Sequence, residues 1–366
     1  MTDPSDLRIL ILADVNSAHV QRWASGLAKR GLQIAVWSFD IPANDWYSKH
    51  RIKVYAPDSP SFFGKFRYFF AEKKAQEAID DFRPHVVHAH YASSYGMIGR
   101  KTGFHPFFIS VWGSDITHFP NGMIRRSIMR KNLDAADRIF ATSHMLTQIL
   151  EHHWGVDAVR MPFGVDTEKF QEKKFNHYFP SSSVVVGTVK ALESIYAIDF
   201  LLAAFSMVQK RRPDLPLRLL IAGDGSLRNN LIRQASRDCI PETVKFVGKV
   251  PYDAVPLIHQ EIDIFMNVSQ YESFGVSVLE ASSCGKPVIV TETGGLPEVV
   301  EDDETGYLVS VGSIVQMADA IERLAENVAL RSTMGANGRF FAASKYNWDS
   351  IIEDMVGHYR NVVDFQ

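Results

Sequence analysis

Apolar residues in this chain come in short, dense runs separated by longer stretches in which they recur at every third or fourth position. The run at 7–13 (LRILILA) is followed by a segment where Val20, Trp23 and Leu27 share one helical face and Gly31 ends the pattern. Runs at 33–39, 51–57, 85–90, 107–112 and 138–143 are almost continuously apolar, as strands covered on both faces are. The plan repeats at 183–189, 217–225, 244–250, 263–269, 286–292 and 305–311. Strand–helix alternation through both halves predicts an α/β protein with two doubly wound parallel sheets. A polar stretch at 173–183, carrying Pro180, marks the expected junction. The expected domains are therefore 1–176 and 177–346, with 347–366 as a terminal helix crossing back to the first domain. Open parallel sheets take ligands at the carboxyl ends of their strands, so two Rossmann-like domains facing a central cleft are expected.

Length agrees with that division, since 366 residues exceed one ordinary hydrophobic core. Hydrophobic and charged contents of 46% and 22% are those of a soluble globular protein. The two cysteines, Cys239 and Cys284, stand far apart, so neither a disulfide framework nor a zinc site is expected. The start of the chain is acidic, its apolar stretch is far too short for a signal or membrane helix, and no run of 18 apolar residues occurs. A cytoplasmic location is expected. The net charge of −3 conceals a basic surplus in the first half and an acidic one in the second, which implies different partners for the two. With a net acidic chain and no recognition motif, nucleic acid is not an expected partner. A dinucleotide-dependent dehydrogenase is not expected either. Gly223-Asp224-Gly225-Ser226-Leu227-Arg228 is not a G-x-G-x-x-G turn, and the first strand leads into Asp14-Val15-Asn16-Ser17-Ala18-His19.

The chemistry is concentrated at Tyr271-Glu272-Ser273-Phe274-Gly275-Val276-Ser277-Val278-Leu279-Glu280-Ala281, followed by Gly285-Lys286-Pro287 and Thr293-Gly294-Gly295-Leu296-Pro297-Glu298. The pattern predicts a strand ending near Ser269 and a helix beginning about Phe274. The free N–H groups and positive dipole end of that helix would receive a diphosphate. Glu272 precedes the helix and Glu280 lies about two turns inside it, where a carboxylate can accept both hydroxyls of a ribose. The plainer alternative is a capped amphipathic helix with an acid favoured by the helix dipole.

This block resembles the signature of the retaining glycosyltransferases of family four, which have the GT-B fold, two Rossmann-like domains and a two-glutamate motif with seven residues between the acids. Glu272 and Glu280 occupy those positions, and the resemblance extends from the first strand to Gly306. It implies that Glu280 holds the donor ribose and that Glu272 steadies the transferred sugar. Ser273, Phe274 and Gly275 would lie against the diphosphate. Leu220-Ile221-Ala222-Gly223-Asp224-Gly225 would flank the nucleotide pocket through Gly223, Asp224 and Gly225, and Val250 would offer its main chain to the base. Lys190, after the strand Val186-Gly187-Thr188-Val189, would neutralise the donor phosphates. The function implied is transfer of a hexose from a nucleotide-diphosphate sugar, a co-substrate, to a glycan or lipid-linked acceptor with retention of configuration. No cofactor and no essential metal are expected.

Two departures from the family pattern stand out. A Lys-Tyr-Gly-Ile-Asp-like element reads Ile195-Tyr196-Ala197-Ile198-Asp199 here, so one phosphate-binding charge is missing. The family's His-Gly-x-Asp reads Trp112-Gly113-Ser114-Asp115, with Trp in the place of His. Of the nearby His88, His90 and His118, His90 is the preferred catalytic candidate because its strand ends toward the expected cleft. Asn16, Ser17 and His19 replace the Gly-Gly of many relatives and, with Trp112 and Asp115, are candidates for an acceptor or diphosphate loop. Five Phe and one Tyr interleaved with Lys and Arg in the run from Ser61, which leads into Glu72-Lys73-Lys74, are expected to give peripheral membrane contact through 61–74, at the inner face of a cell membrane. Helix–sheet packing is the competing explanation for that stripe. Bacterial surface polysaccharide synthesis is the expected setting. The competing functions are a catalytically impaired nucleotide-sugar-binding subunit and a sugar-nucleotide epimerase or phosphorylase of the same architecture.

Overall fold

A computed structural model describes residues 7–57 and 67–363. The chain divides into two compact units, Met1–Pro162 with Asp349–Gln366, and Phe163–Trp348.

In the first unit, strands β1 (Arg8–Leu12), β2 (Gln33–Trp37), β3 (Lys53–Tyr55), β4 (Val86–His90), β5 (Phe107–Val111), β6 (Arg138–Ala141) and β7 (Val159–Arg160) form one sheet in the order β3-β2-β1-β4-β5-β6-β7. Every neighbouring pair is parallel. The intervening helices are α1 (Ala18–Lys29), α2 (Trp46–Lys49), α3 (Arg67–Phe82), α4 (Ser94–Thr102), α5 (Ser114–Thr117), α6 (Met123–Asp134) and α7 (His144–Ile149). In the second unit, β8 (Val184–Val189), β9 (Leu217–Ala222), β10 (Val244–Gly248), β11 (Ile264–Asn267), β12 (Val288–Thr291) and β13 (Gly306–Val309) form a second parallel sheet in the order β10-β9-β8-β11-β12-β13. Its helices are α8 (Ile198–Arg211), α9 (Arg228–Asp238), α10 (Val255–Glu261), α11 (Val276–Ser283), α12 (Ile314–Glu326) and α13 (Val328–Lys345), and α14 (Trp348–Val363) ends the described chain.

Each run read as a strand from its apolar density is a strand. Among the described residues only β7 went unread, because two residues are too few to carry a periodicity. Both sheets have the Rossmann strand order, which reverses direction between β1 and β4 and between β8 and β11. The loops leaving those strands diverge there, and the crevice they leave is where such sheets bind ligands.

The units part at residue 162, ahead of the polar stretch at 173–183. The reason is packing of the intervening segment on the second unit. Phe163 meets Phe274, Phe170 lies against Tyr252 and His259, and the Ser283 hydroxyl donates to the Phe170 carbonyl at 2.7 Å. At the other end of the chain, α14 belongs to the first unit. Tyr359, fully buried, brings its hydroxyl to 2.6 Å from His88 Nδ1, and Arg30 pairs with Asp349 and Glu353. Of the aromatic stretch read as a membrane contact, residues 61–66 lie outside the described residues. From Arg67 the chain is α3, which turns Ala71, Ala75 and Ala78 into the core while Glu72 pairs with Lys101. Among the described residues no helix is long and apolar enough to cross a membrane.

Candidate active site

In the second unit the site grows from the two loops flanking the strand reversal. β8 delivers Lys190 at its carboxyl end, and β11 runs into the loop 268–275 that carries Glu272. Lys190 Nζ is hydrogen-bonded to Glu272 Oε2, and both side chains are largely enclosed, at 15% and 16% exposure. The ammonium also sits 4.5 Å from the centre of the Tyr196 ring, an attraction strengthened by the partial loss of water. A cation and an anion read separately from the sequence, one for phosphate and one for sugar, therefore neutralise each other in this structure.

The backbone of the Glu272 loop is set by the glycines that follow. Gly294 has φ +57, and a Cβ there would meet the Glu272 carbonyl oxygen at 1.9 Å; one on Gly295 would meet the Ser273 oxygen at 2.4 Å. The Gly295 N–H donates to the Glu272 carbonyl at 2.9 Å, and Gln270 N–H donates to the Ile195 carbonyl at 2.8 Å. The Gly-Gly pair is thus what lets two loops lie in backbone contact. Gly223 and Gly225 do the same for the loops after β8 and β9. A Cβ on Gly223 would meet the Lys190 carbonyl oxygen at 1.8 Å, and one on Gly225 the Leu192 oxygen at 2.5 Å. These glycines, read as flanking a nucleotide, are occupied in seating Lys190. The exposed Asp224 accepts from the Gly225 N–H.

Helix α11 begins at Val276 with Gly275 (φ +112) as its cap residue, two positions later than the sequence pattern indicated. No side chain caps it among the described residues; the Val278 and Leu279 N–H groups donate to the Gly275 carbonyl at 3.0 and 3.3 Å, and the earlier amides of the turn are the ones a ligand can meet. Glu280 consequently lies little more than one turn inside, not two. Phe274 is 2% exposed and packs between Phe163 and Tyr346. Its ring is core, and only its main chain can meet a ligand. Glu280 is 5% exposed, with Oε1 accepting from the Tyr252 hydroxyl at 3.3 Å and Oε2 3.6 Å from His259 Nε2. Val250, half-buried, follows β10 and leads into the turn bearing Tyr252. Tyr196, Tyr252 and His259 were not singled out in the sequence. A tyrosine or histidine inside an apolar pattern looks like core until the fold turns it toward a carboxylate.

In the first unit the corresponding positions are the loop after β1, the end of β4 and the turn after β5. The exposed Asn16 helps to shape its loop: Nδ2 donates to the Ile41 carbonyl at 3.0 Å and Oδ1 accepts from Ala43 N–H at 2.8 Å. Ser17 caps α1 by position, with no side-chain bond to the helix among the described residues. His19 is partly exposed, its ring edge-on to Trp112 at 6.0 Å.

Two candidates change role here. Asp115, read as an acceptor contact, is fully buried, and its carboxylate takes N–H groups from Ala92 (2.8 Å), Gly113 (2.8 Å) and Trp112 (3.2 Å). It fixes the turn, and burial raises its pKa against the pull of those bonds. His90 does end β4, yet its ring is only 2% exposed, enclosed by Trp23, His88 and Trp112. Burial pushes its pKa down to about 3, so it is neutral near pH 7 and a weak base. Partly exposed beside it are Tyr91, the next residue, and Trp112, just after β5. His88, beneath it, is bonded to Tyr359 and Ser110 and is structural. His118 is exposed, beside Thr117.

Comparison with known proteins identifies the family and the fold. Residues 169–340 match the family described as "Glycosyl transferases group 1", and residues 8–143 match "Glycosyl transferase 4-like". Relatives include N-acetyl-alpha-D-glucosaminyl L-malate synthase of Bacillus anthracis, 24% identical over 311 residues, 80% of this chain and 77% of that protein. Another is the GDP-mannose-dependent alpha-(1-6)-phosphatidylinositol monomannoside mannosyltransferase of Mycolicibacterium smegmatis, 27% identical over 270 residues, 69% of each chain. Sucrose-phosphate synthase from Thermosynechococcus elongatus has the same fold (TM-score 0.84, 19% identity, 98% of this chain and 100% of that one). So does Anabaena HepE, solved with UDP and glucose (TM-score 0.79, 19% identity, 97% and 99%). The family matches, on two Rossmann-like sheets, identify a glycosyltransferase of the GT-B type. The chain belongs to the group 1, family-four glycosyltransferases.

Proposed function

We propose that this enzyme moves a hexose, with retention of anomeric configuration, from a nucleoside-diphosphate sugar to a glycan or lipid-linked acceptor in bacterial surface polysaccharide synthesis. The observation that carries the reading is the pairing of Lys190 with Glu272 beside an uncapped helix start, with Glu280 one turn inside that helix.

In this structure Lys190 and Glu272 neutralise each other. An entering donor supplies a diphosphate to compete for Lys190 and sugar hydroxyls to compete for Glu272, so both side chains exchange one partner for another without being left buried and alone. The N–H groups of the first turn of α11 meet the diphosphate, and Glu280 accepts the ribose hydroxyls. Transfer then breaks the bond from C1 to the diphosphate oxygen and forms one from C1 to the acceptor oxygen on the same face. The acceptor's proton passes to the departing phosphate, so no histidine is required. The enclosed, weakly basic His90 fits that route. Charge on the leaving group is met by Lys190 and main-chain amides, and the reaction is proposed to need no metal. Relatives whose names carry inositol phosphate and phosphatidylinositol acceptors support a lipid-linked or polyol acceptor.

The test is nucleotide release from UDP-glucose, UDP-N-acetylglucosamine and GDP-mannose, with and without polyol and lipid-linked acceptors, with NMR of the anomeric product and a chelator arm. An inverted product, a new nucleotide sugar formed without acceptor, or loss of turnover on chelation would overturn the corresponding part of the reading.

A further inference from the structure

The ring of His259, on α10, is fully buried between Phe170 and Phe265, with centroids 5.9 and 5.2 Å away. Neither of its nitrogens has a hydrogen-bond partner among the described residues. That is an unusual state for an imidazole, which always carries at least one N–H to be satisfied. The acid it faces is Glu280, whose Oε2 lies 3.6 Å from Nε2, while Oε1 accepts from Tyr252 on the other side. A separation of 3.6 Å is beyond a hydrogen bond, and roughly half an ångström of carboxylate movement closes it.

We propose that His259 is a positioning residue for Glu280, donating from Nε2 to Oε2 when donor is bound and so presenting the carboxylate's remaining lone pairs to the two hydroxyls of a ribose. Two donors from opposite sides, Tyr252 on Oε1 and His259 on Oε2, fix the plane of the carboxylate, as partners behind a ligating group do elsewhere. A phenylalanine would fill the same apolar space, so packing alone does not call for an imidazole here. The proposal rests on the reading that Glu280 binds ribose.

The experiment compares UDP and GDP with their 2′-deoxy counterparts by calorimetry on the full chain. The variants are His259→Phe, which keeps the ring and removes the donor, His259→Met as a second donor-less replacement with adaptable packing, and His259→Gln, which retains an N–H. Loss of one hydrogen bond to a charged group predicts about tenfold weaker binding of the ribonucleotide in the donor-less variants. Their affinity for the 2′-deoxynucleotide, which keeps one of the two hydroxyls, should fall less, and Gln should recover most of the loss. Equal weakening for ribo and deoxy forms, or no weakening at all, overturns the proposal. Glu280→Ala separates the two ideas. If it abolishes the ribose preference while His259→Phe does not, Glu280 keeps its role and His259 loses its own. If the parent enzyme shows no ribose preference, both fall.

Discussion

Gly294→Ala is the sharpest probe of how the site is held. Two costs are built into the position. The backbone sits at φ +57, where a Cβ costs about 1–2 kcal/mol in any L-residue but glycine. The added Cβ would also lie 1.9 Å from the Glu272 carbonyl oxygen, so the loop must withdraw by roughly 1 Å, breaking the 2.9 Å hydrogen bond from Gly295 and losing about 1 kcal/mol more. A total of about 2–3 kcal/mol is expected. Gly312→Ala separates these contributions, because Gly312 has φ +77 and only an ordinary contact at 3.9 Å, with Phe200. It should lose only the 1–2 kcal/mol of the backbone term. Urea unfolding followed by circular dichroism reads both variants. Donor turnover adds a second measure, since displacing a site group by about 1 Å lowers turnover by about a hundredfold. Gly294→Ala should show that loss, and Gly312→Ala should turn over normally. The reasoning fails if the two variants are equally stable, or if Gly294→Ala, once folded, turns over donor like the parent.

Other outcomes follow from the same contacts. Tyr196→Leu removes the ring 4.5 Å from Lys190 and should weaken donor binding by about fivefold, the equivalent of one partly desolvated cation–π contact of about 1 kcal/mol; an unchanged Kd would count against it. Glu280→Ala should weaken nucleotide binding strongly in calorimetry, and unchanged affinity would remove the ribose assignment. His88 and His90 are buried with pKa values pushed down, His90 to about 3. Below pH 6.5 the unfolded chain therefore takes up protons that the native first unit refuses, and stability falls as pH drops; for His90 the loss runs from 6.5 toward 3, at up to about 1.4 kcal/mol per pH unit. His90→Phe should flatten that slope in pH-dependent melting, and an unaltered slope would show that His90 is not one of the groups responsible.

Much of this protein was legible in one dimension. A strand in a parallel sheet is buried on both faces, and its apolar run is local, so twelve of the thirteen strands among the described residues could be placed from the sequence. The two acids of the site were legible for a different reason: the block that carries Glu272 and Glu280 resembles the two-glutamate signature of the family-four glycosyltransferases. What the sequence could not reveal were relations between distant residues. Lys190 and Glu272 are 82 positions apart and become an ion pair only because β8 and β11 are neighbours at the strand reversal. The same registry makes Gly294 a spacer for Glu272 and sets His259 and Tyr252 around Glu280. It also explains the readings that changed. Asp115 and His90 sit at strand ends where a ligand group would stand, yet burial is decided by what packs over a strand end, here Trp23, Trp112 and the turn after β5. Periodicity is a property of neighbours along the chain, whereas solvent exposure and charge pairing are properties of neighbours in space, and only the folded sheets bring those together.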